Sequence, residues 1–217
     1  MNRIRILLAD DHSTVRQSLG LLLGAQADMT VVGEATDGRS AVAFAAATGA
    51  QVVVMDLSMP GMNGLIATRE MRTGCPAVRV VALTRHNSAE YVRELFSAGA
   101  SGYVLKQSES DELLEAIREV ARGGTYVDSR LRARLGEPDA GADPLSPLRL
   151  TAAITERETE VLKLIAWGHS NKEIAWRLDI SIKTVEVHRA SAIRKLELRD
   201  RIDVVRYALL QGWLDES

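Results

Sequence analysis

Five side chains in the first half of this 217-residue chain have the types and spacing to handle a phosphoryl group: Asp10, Asp11, Asp56, Thr84 and Lys106. Three carboxylates brought close together repel one another unless a cation sits among them. Oxygen-only donors in a partly hydrated site suit Mg2+. A carboxylate can also attack as a nucleophile, while a hydroxyl and an ammonium neutralise the oxygens of a group in transfer. Singly, each residue has a plainer role. Aspartate caps turns and helices, threonine favours strands, and a lone lysine is a solvated charge. The chemistry requires all five on one rim.

The surrounding sequence predicts such a rim. Strand-like runs at 4–9, 29–35, 51–55, 78–83 and 101–105 alternate with amphipathic stretches at 13–23, 39–48, 64–72, 88–98 and 109–122. The runs at 4–9, 51–55 and 78–83 are almost wholly apolar, as expected of parallel strands buried on both faces. Leu113, Leu114, Ile117 and Val120 repeat at helical spacing. Five successive βα units predict an α/β doubly wound, five-stranded parallel sheet with right-handed crossovers. Ligand sites in such sheets lie beyond the carboxyl ends of the strands. Asp10 and Asp11 close the first strand, Asp56 the third and Thr84 the fourth, and Lys106 follows the fifth.

Composition narrows the class. Lys and Arg total 27 against 29 Asp and Glu, a formal net charge of −2, which excludes a globally basic coat but leaves room for a local basic surface. The single cysteine, Cys75, excludes a disulfide framework and a thiolate zinc cluster, and fits a reducing compartment. The apolar runs 19–25 and 52–55 fall far below the ~18 residues needed to span a bilayer. No signal-peptide layout precedes the first strand. A soluble cytoplasmic protein with no membrane partner is expected.

From Gly123 to about residue 153 the pattern lapses into Gly- and Pro-rich turns, with a short helix expected at 128–135. This reads as a linker, dividing the chain into domains at 1–122 and 154–217. The last part is helical throughout. Thr155-Glu-Arg-Glu158 and Ser170-Asn-Lys-Glu173 are capping boxes, Ser181 caps a third helix over 182–198, and Asp200 starts a fourth. The short joint Asp179-Ile180-Ser181 has the layout of a helix-turn-helix. Residues 177–201 carry seven basic groups against four acids, whereas 150–217 balance at eleven each. Serine, threonine and free N–H groups at a helix start can donate to phosphates.

Leu8-Ala-Asp-Asp-His12, Met55-Asp-Leu-Ser-Met-Pro-Gly-Met-Asn-Gly64, Leu83-Thr84 and Gly102-Tyr-Val-Leu-Lys106 resemble the receiver domain of two-component response regulators, a flavodoxin-like fold, over residues 3–122. The resemblance implies that Asp56 accepts the phosphoryl group. It also implies that Asp10, Asp11, Asp56 and the Ser58 backbone carbonyl hold Mg2+. Thr84 and Lys106 would bind the phosphoryl oxygens, and Tyr103 would be an aromatic switch. Arg85 departs from the small or apolar residue usual after the threonine.

Thr155-Glu-Arg-Glu158, Val161-Leu-Lys-Leu-Ile-Ala-Trp-Gly168, Ser170-Asn-Lys-Glu-Ile-Ala175 and Lys183-Thr-Val-Glu-Val-His-Arg189 resemble the LuxR-type helix-turn-helix over 154–214. Together the halves are similar to NarL/FixJ-class response regulators. On that resemblance 182–198 is the recognition helix for double-stranded DNA. Glu186, Val187 and Ala190 would face base edges, and Lys172, Lys183, Thr184, His188, Arg189 and Lys195 would hold phosphates. Glu158 is structural, the helix at 203–211 is a dimerising element, and Ser191-Ala192 replaces a usual long polar and apolar pair.

The expected function is a transcriptional regulator phosphorylated on Asp56 by a cognate histidine kinase, which then forms a homodimer and binds its promoter. Enzymatic activity would be limited to self-phosphorylation from small donors and autodephosphorylation. A flavin enzyme would need a Ser-, Thr- or Gly-rich phosphate loop where Asp10-Asp11-His12 stands. An aspartyl phosphatase would need a nucleophile and an acid two residues apart on one loop. A receiver that regulates by protein contact alone stays open, because Arg85 stands beside Thr84.

Overall fold

The computed structural model describes residues 3–85, 89–135, 154–196, 198 and 200–214. The chain divides into two compact units, Met1–Arg149 and Leu150–Ser217.

In the first unit, strands β1 (Ile4–Ala9), β2 (Met29–Ala35), β3 (Val52–Asp56), β4 (Arg79–Thr84), β5 (Gly102–Leu105) and β6 (Tyr126–Val127) form one parallel sheet in the order β2-β1-β3-β4-β5-β6. Alternate side chains along each strand serve opposite layers. Ile6, Leu8, Val52 and Val54 pack with Leu23 of α1 (Ser13–Gly24) and with Leu113, Leu114, Ile117 and Val120 of α5 (Ser110–Ala121). Leu7, Ala9, Val53 and Met55 pack with Ala41 and Ala45 of α2 (Gly38–Thr48) and with Ala67 and Met71 of α3 (Gly64–Gly74). Helix α4 (Ala89–Ala98) lies beside α3. Residue 88, expected to begin α4, lies outside the described residues.

The doubly wound parallel fold stands, but among the described residues the sheet has six strands, not five. Tyr126–Val127 pairs with Gly102 and Tyr103, and α6 (Ser129–Leu135) follows. Residues 126–127, expected in the linker, thus form a strand, α6 matches the short helix expected at 128–135 to within one residue, and 136–153 lie outside the described residues. A two-residue strand is too short to show a period. Its entry depends on Gly123, whose φ of 93° is a left-handed conformation that glycine adopts without a Cβ penalty at a helix end.

Close packing also fixes the junction of β3 and α3. A Cβ on Gly64 would lie 2.1 Å from the Asp56 carbonyl oxygen and 3.0 Å from the Leu57 Cα, both backbone atoms that cannot swing aside. We expect Gly64→Ala to destabilise the first unit by about 1–3 kcal/mol, read as a lower denaturant midpoint. An unchanged midpoint would show that the junction yields freely.

Among the described residues the second unit has four helices: α7 (Glu156–Ala166), α8 (Asn171–Leu178), α9 (Ile182–Lys195) and α10 (Arg201–Leu210). Both capping boxes form as read, and Ser181 and Asp200 accept from the backbone N–H groups of Thr184 and Asp203. Helix α8 ends at Asp179, which takes φ 52°, a conformation that a short polar side chain tolerates. The core gathers Val161, Leu162, Ile165, Ile174, Val185, Ala192, Val204 and Tyr207. Helix α9 stops at Lys195 instead of reaching Leu198. Leu196, with φ −95° and ψ 2°, caps the helix, and Leu196 and Leu198 are both buried.

Candidate functional site

The parallel register builds the acidic crevice. Ala9 is opposite Met55, so Asp10 and Asp56 stand one step further at the carboxyl edge of neighbouring strands. Asp10 and Asp56 are buried, and both reach one ammonium: Lys106 Nζ lies 2.7 Å from Asp10 Oδ2 and 2.9 Å from Asp56 Oδ2. The bond to Asp10 has hydrogen-bond geometry, whereas the contact with Asp56 Oδ2 is a short ion pair with no donor among the described residues aimed at the oxygen. Asp56 Oδ1 accepts the Ser58 N–H at 3.3 Å. Ser58 itself is exposed.

Asp10 Oδ1 accepts the His12 N–H at 2.8 Å. The imidazole of His12 lies 2.7 Å from Asp11 Oδ1 and 3.2 Å from Asp10 Oδ1. Among the described residues, Asp10, Asp11, His12 and Asp56 each offer one ligand atom within 4.8 Å of the others. The three carboxylates supply hard oxygen donors, and the buried Asp56 Oδ2, though ion-paired with Lys106, accepts no hydrogen bond from the described residues. This donor set fits Mg2+, with the His12 nitrogen turned to the carboxylates beside it. His12 lies outside the site expected from the sequence, and its adjacency to Asp10-Asp11 is the signal that points to it.

Thr84 is buried at the end of β4, and its carbonyl accepts the Lys106 N–H at 2.7 Å. Tyr103 is completely buried on β5. Arg85 is exposed and lines a cleft of about 470 Å³ with Thr14, Lys106 and Gln107. Asp128, within the stretch expected to be linker, is wholly buried and accepts from residues flanking Lys106. Its one sequence signal was its place before a helix start.

On α9 the residues Lys183, Glu186, Val187 and Ala190 recur at i, i+3, i+4 and i+7, one helix face, and all four are exposed. Val187 is 59% exposed, an apolar side chain that no core covers. Arg189 and Lys172 are exposed, and Thr184 and His188 half-buried. Lys195 stands apart from this set. Its Nζ is 2.8 Å from the buried Glu158 Oε2, and its side chain is only 19% exposed. The expected phosphate contact is an internal ion pair, because Glu158 needs a counter-charge. Burial alone would raise the Glu158 carboxyl, but hydrogen bonds from Lys195, Ser191 and Thr155 outweigh it and hold the group down to about 2. Ser191 thus anchors Glu158 while Ala192 is buried in the core.

Residues 6–118 match the response regulator receiver domain, and residues 152–208 match the bacterial regulatory proteins of the luxR family. Oxygen regulatory protein NreC of Staphylococcus carnosus is 38% identical over 216 residues, covering 98% of this chain and 100% of that protein. Among solved structures, RcsB from Salmonella enterica serovar Typhimurium, bound to promoter P1flhDC in the presence of phosphomimetic BeF3-, is similar with a TM-score of 0.79 and 27% identity. That match covers 97% of this chain and 100% of the other. A structure of two RcsB dimers bound to two parallel DNAs gives a TM-score of 0.76 and 26% identity, over 99% and 100%. With a receiver domain, a luxR-family domain and a full-length relative at this identity, the chain belongs to the NarL/FixJ class of two-component response regulators.

Proposed function

We propose that Asp56 accepts a phosphoryl group from the phosphohistidine of a partner kinase, and that the acyl phosphate controls DNA binding by the second unit. A carboxylate oxygen of Asp56 attacks phosphorus, and the phosphorus–nitrogen bond breaks with its electron pair going to the imidazole. The observation that carries this reading is Lys106 Nζ set between the buried Asp10 and Asp56 carboxylates. That ammonium is already placed to hold a phosphoryl oxygen once Asp56 carries one. The Thr84 hydroxyl is proposed to donate to a second oxygen, with the buried Tyr103 as the aromatic switch. Asp10, Asp11, Asp56 and the Ser58 carbonyl would hold Mg2+, which when bound neutralises charge on the phosphoryl oxygens. Small donors such as acetyl phosphate serve the same acceptor.

Phosphorylation then shifts a two-state receiver toward a form that dimerises. Ile202 and Leu209, exposed seven residues apart on α10, offer an apolar face for a second copy. Helix α9 enters the major groove of double-stranded DNA with Glu186, Val187 and Ala190 toward base edges. Lys172, Lys183, Thr184, His188 and Arg189 engage phosphates. Among the described residues no helix is long and apolar enough to cross a membrane.

Intact mass after treatment with a small donor tests the acceptor, and salt titration tests the interface. Lys183→Ala is expected to weaken binding to all DNA sequences alike and to flatten the slope of log K against log salt by about one unit. A slope unchanged from wild type would remove Lys183 from the phosphate contacts.

A further inference from the structure

The loop that carries Lys106 is fastened on both sides of the lysine by one buried carboxylate. Asp128 Oδ2 accepts the Leu105 N–H at 3.0 Å and the Ser108 hydroxyl at 2.5 Å, and its Oδ1 accepts the Arg130 N–H at 3.0 Å. The Asp128 N–H donates to the Tyr103 carbonyl at 2.8 Å, and Arg130 Nη1 donates to the Gln107 carbonyl at 3.0 Å. Residues 103, 105, 107 and 108 are thus all tied to 128 or 130, while Lys106 between them reaches Asp10 and Asp56. A second attachment holds the same segment to α5, where Glu112 Oε2 accepts the Tyr126 hydroxyl and the Ser129 N–H.

A carboxylate with no exposed surface is costly to keep unless its oxygens are bonded. Asp128 gains those bonds from the lysine loop and from the start of α6. We propose that Asp128 is a positioning residue for phosphoryl acceptance: it sets the Lys106 ammonium and ties the β6–α6 segment to the loop that senses the phosphoryl group. This rests on Asp56 being the acceptor.

Asp128→Asn keeps the shape but turns one acceptor oxygen into a donor, so at least one of the three donors now faces an N–H. Misplacement of a catalytic group by fractions of an ångström lowers rate steeply. The test follows phosphoryl uptake by the full chain from acetyl phosphate with Mg2+, using intact mass for both rate constant and final extent. Asp128→Asn is expected to lower the rate constant of uptake by the folded protein, taken from initial rates, about tenfold. Ser108→Ala should lower it about threefold, and Ser108→Thr, which keeps the hydroxyl, should restore it. A merely structural role would reduce the extent, because less protein is folded, and leave the rate constant of the folded fraction alone. Unchanged rate constants, a loss confined to extent, or a Ser108→Thr variant as slow as Ser108→Ala would each overturn the proposal. A wild type that takes up no phosphoryl group overturns the acceptor reading itself, and this proposal with it.

Discussion

Treated with acetyl phosphate and Mg2+, the wild type is expected to gain one base-labile phosphoryl group, and Asp56→Asn to gain none. The carboxamide nearly matches the carboxylate in shape, but it has no anionic oxygen to attack phosphorus. Its loss is therefore chemical and not conformational. Asp56 now shares the Lys106 ammonium with Asp10 at 2.9 and 2.7 Å, beside Asp11. Removing one of three converging negative charges relieves repulsion while Lys106 keeps its bond to Asp10. Stability of Asp56→Asn should accordingly stay within about 1 kcal/mol of wild type. The variant must also fail to show phosphorylation-dependent dimerisation or tighter DNA binding. A phosphoryl group found on folded Asp56→Asn would place the acceptor elsewhere. A folded wild type that stays unmodified would leave a receiver acting by protein contact alone.

The crevice was legible because its residues end strands whose apolar runs are long enough to read. Ile4–Ala9 and Met29–Ala35 form over the expected residues, and β3 and β4 shift by one residue. Once strand ends are known, a parallel register leaves Asp10, Asp56, Thr84 and Lys106 little choice of place. The capping boxes were legible for a similar reason, being local patterns of four residues. Long-range pairings gave no such signal. Nothing near Asp128 announces that its oxygens meet Leu105 and Ser108, and a polar residue after Gly123-Gly124 reads as a turn. Lys195 and Glu158 are 37 residues apart, so in sequence alone a basic residue late in a recognition helix reads as a DNA contact.

That same pair makes the second unit acid-sensitive over a defined range. Glu158 is held down to about 2 against an ordinary 4.5, because bonds from Lys195, Ser191 and Thr155 overcome the burial that opposes ionisation. A folded value below the unfolded one stabilises the unit fully above about pH 4.5 and ceases to do so as pH falls toward 2. The shift corresponds to about 2–3 kcal/mol at neutral pH, allowing for the partial exposure of Lys195. Glu158→Gln is therefore expected to cost the second unit about 2–3 kcal/mol at pH 7, and the deficit should shrink through pH 4 and vanish near pH 2. The exposed capping residue Glu173 is also held down, by the Ser170 backbone and hydroxyl. It remains in both proteins, so the difference between them isolates Glu158. The full chain suffices for the measurement: all three tryptophans, Trp167, Trp176 and Trp213, belong to the second unit. Trp213 packs edge-on to Tyr207 with ring centres 5.4 Å apart, so its emission reports that core. Urea titrations followed by tryptophan fluorescence at several pH values give the difference directly. A deficit that does not change between pH 7 and pH 2 would mean that Glu158 contributes shape and not charge.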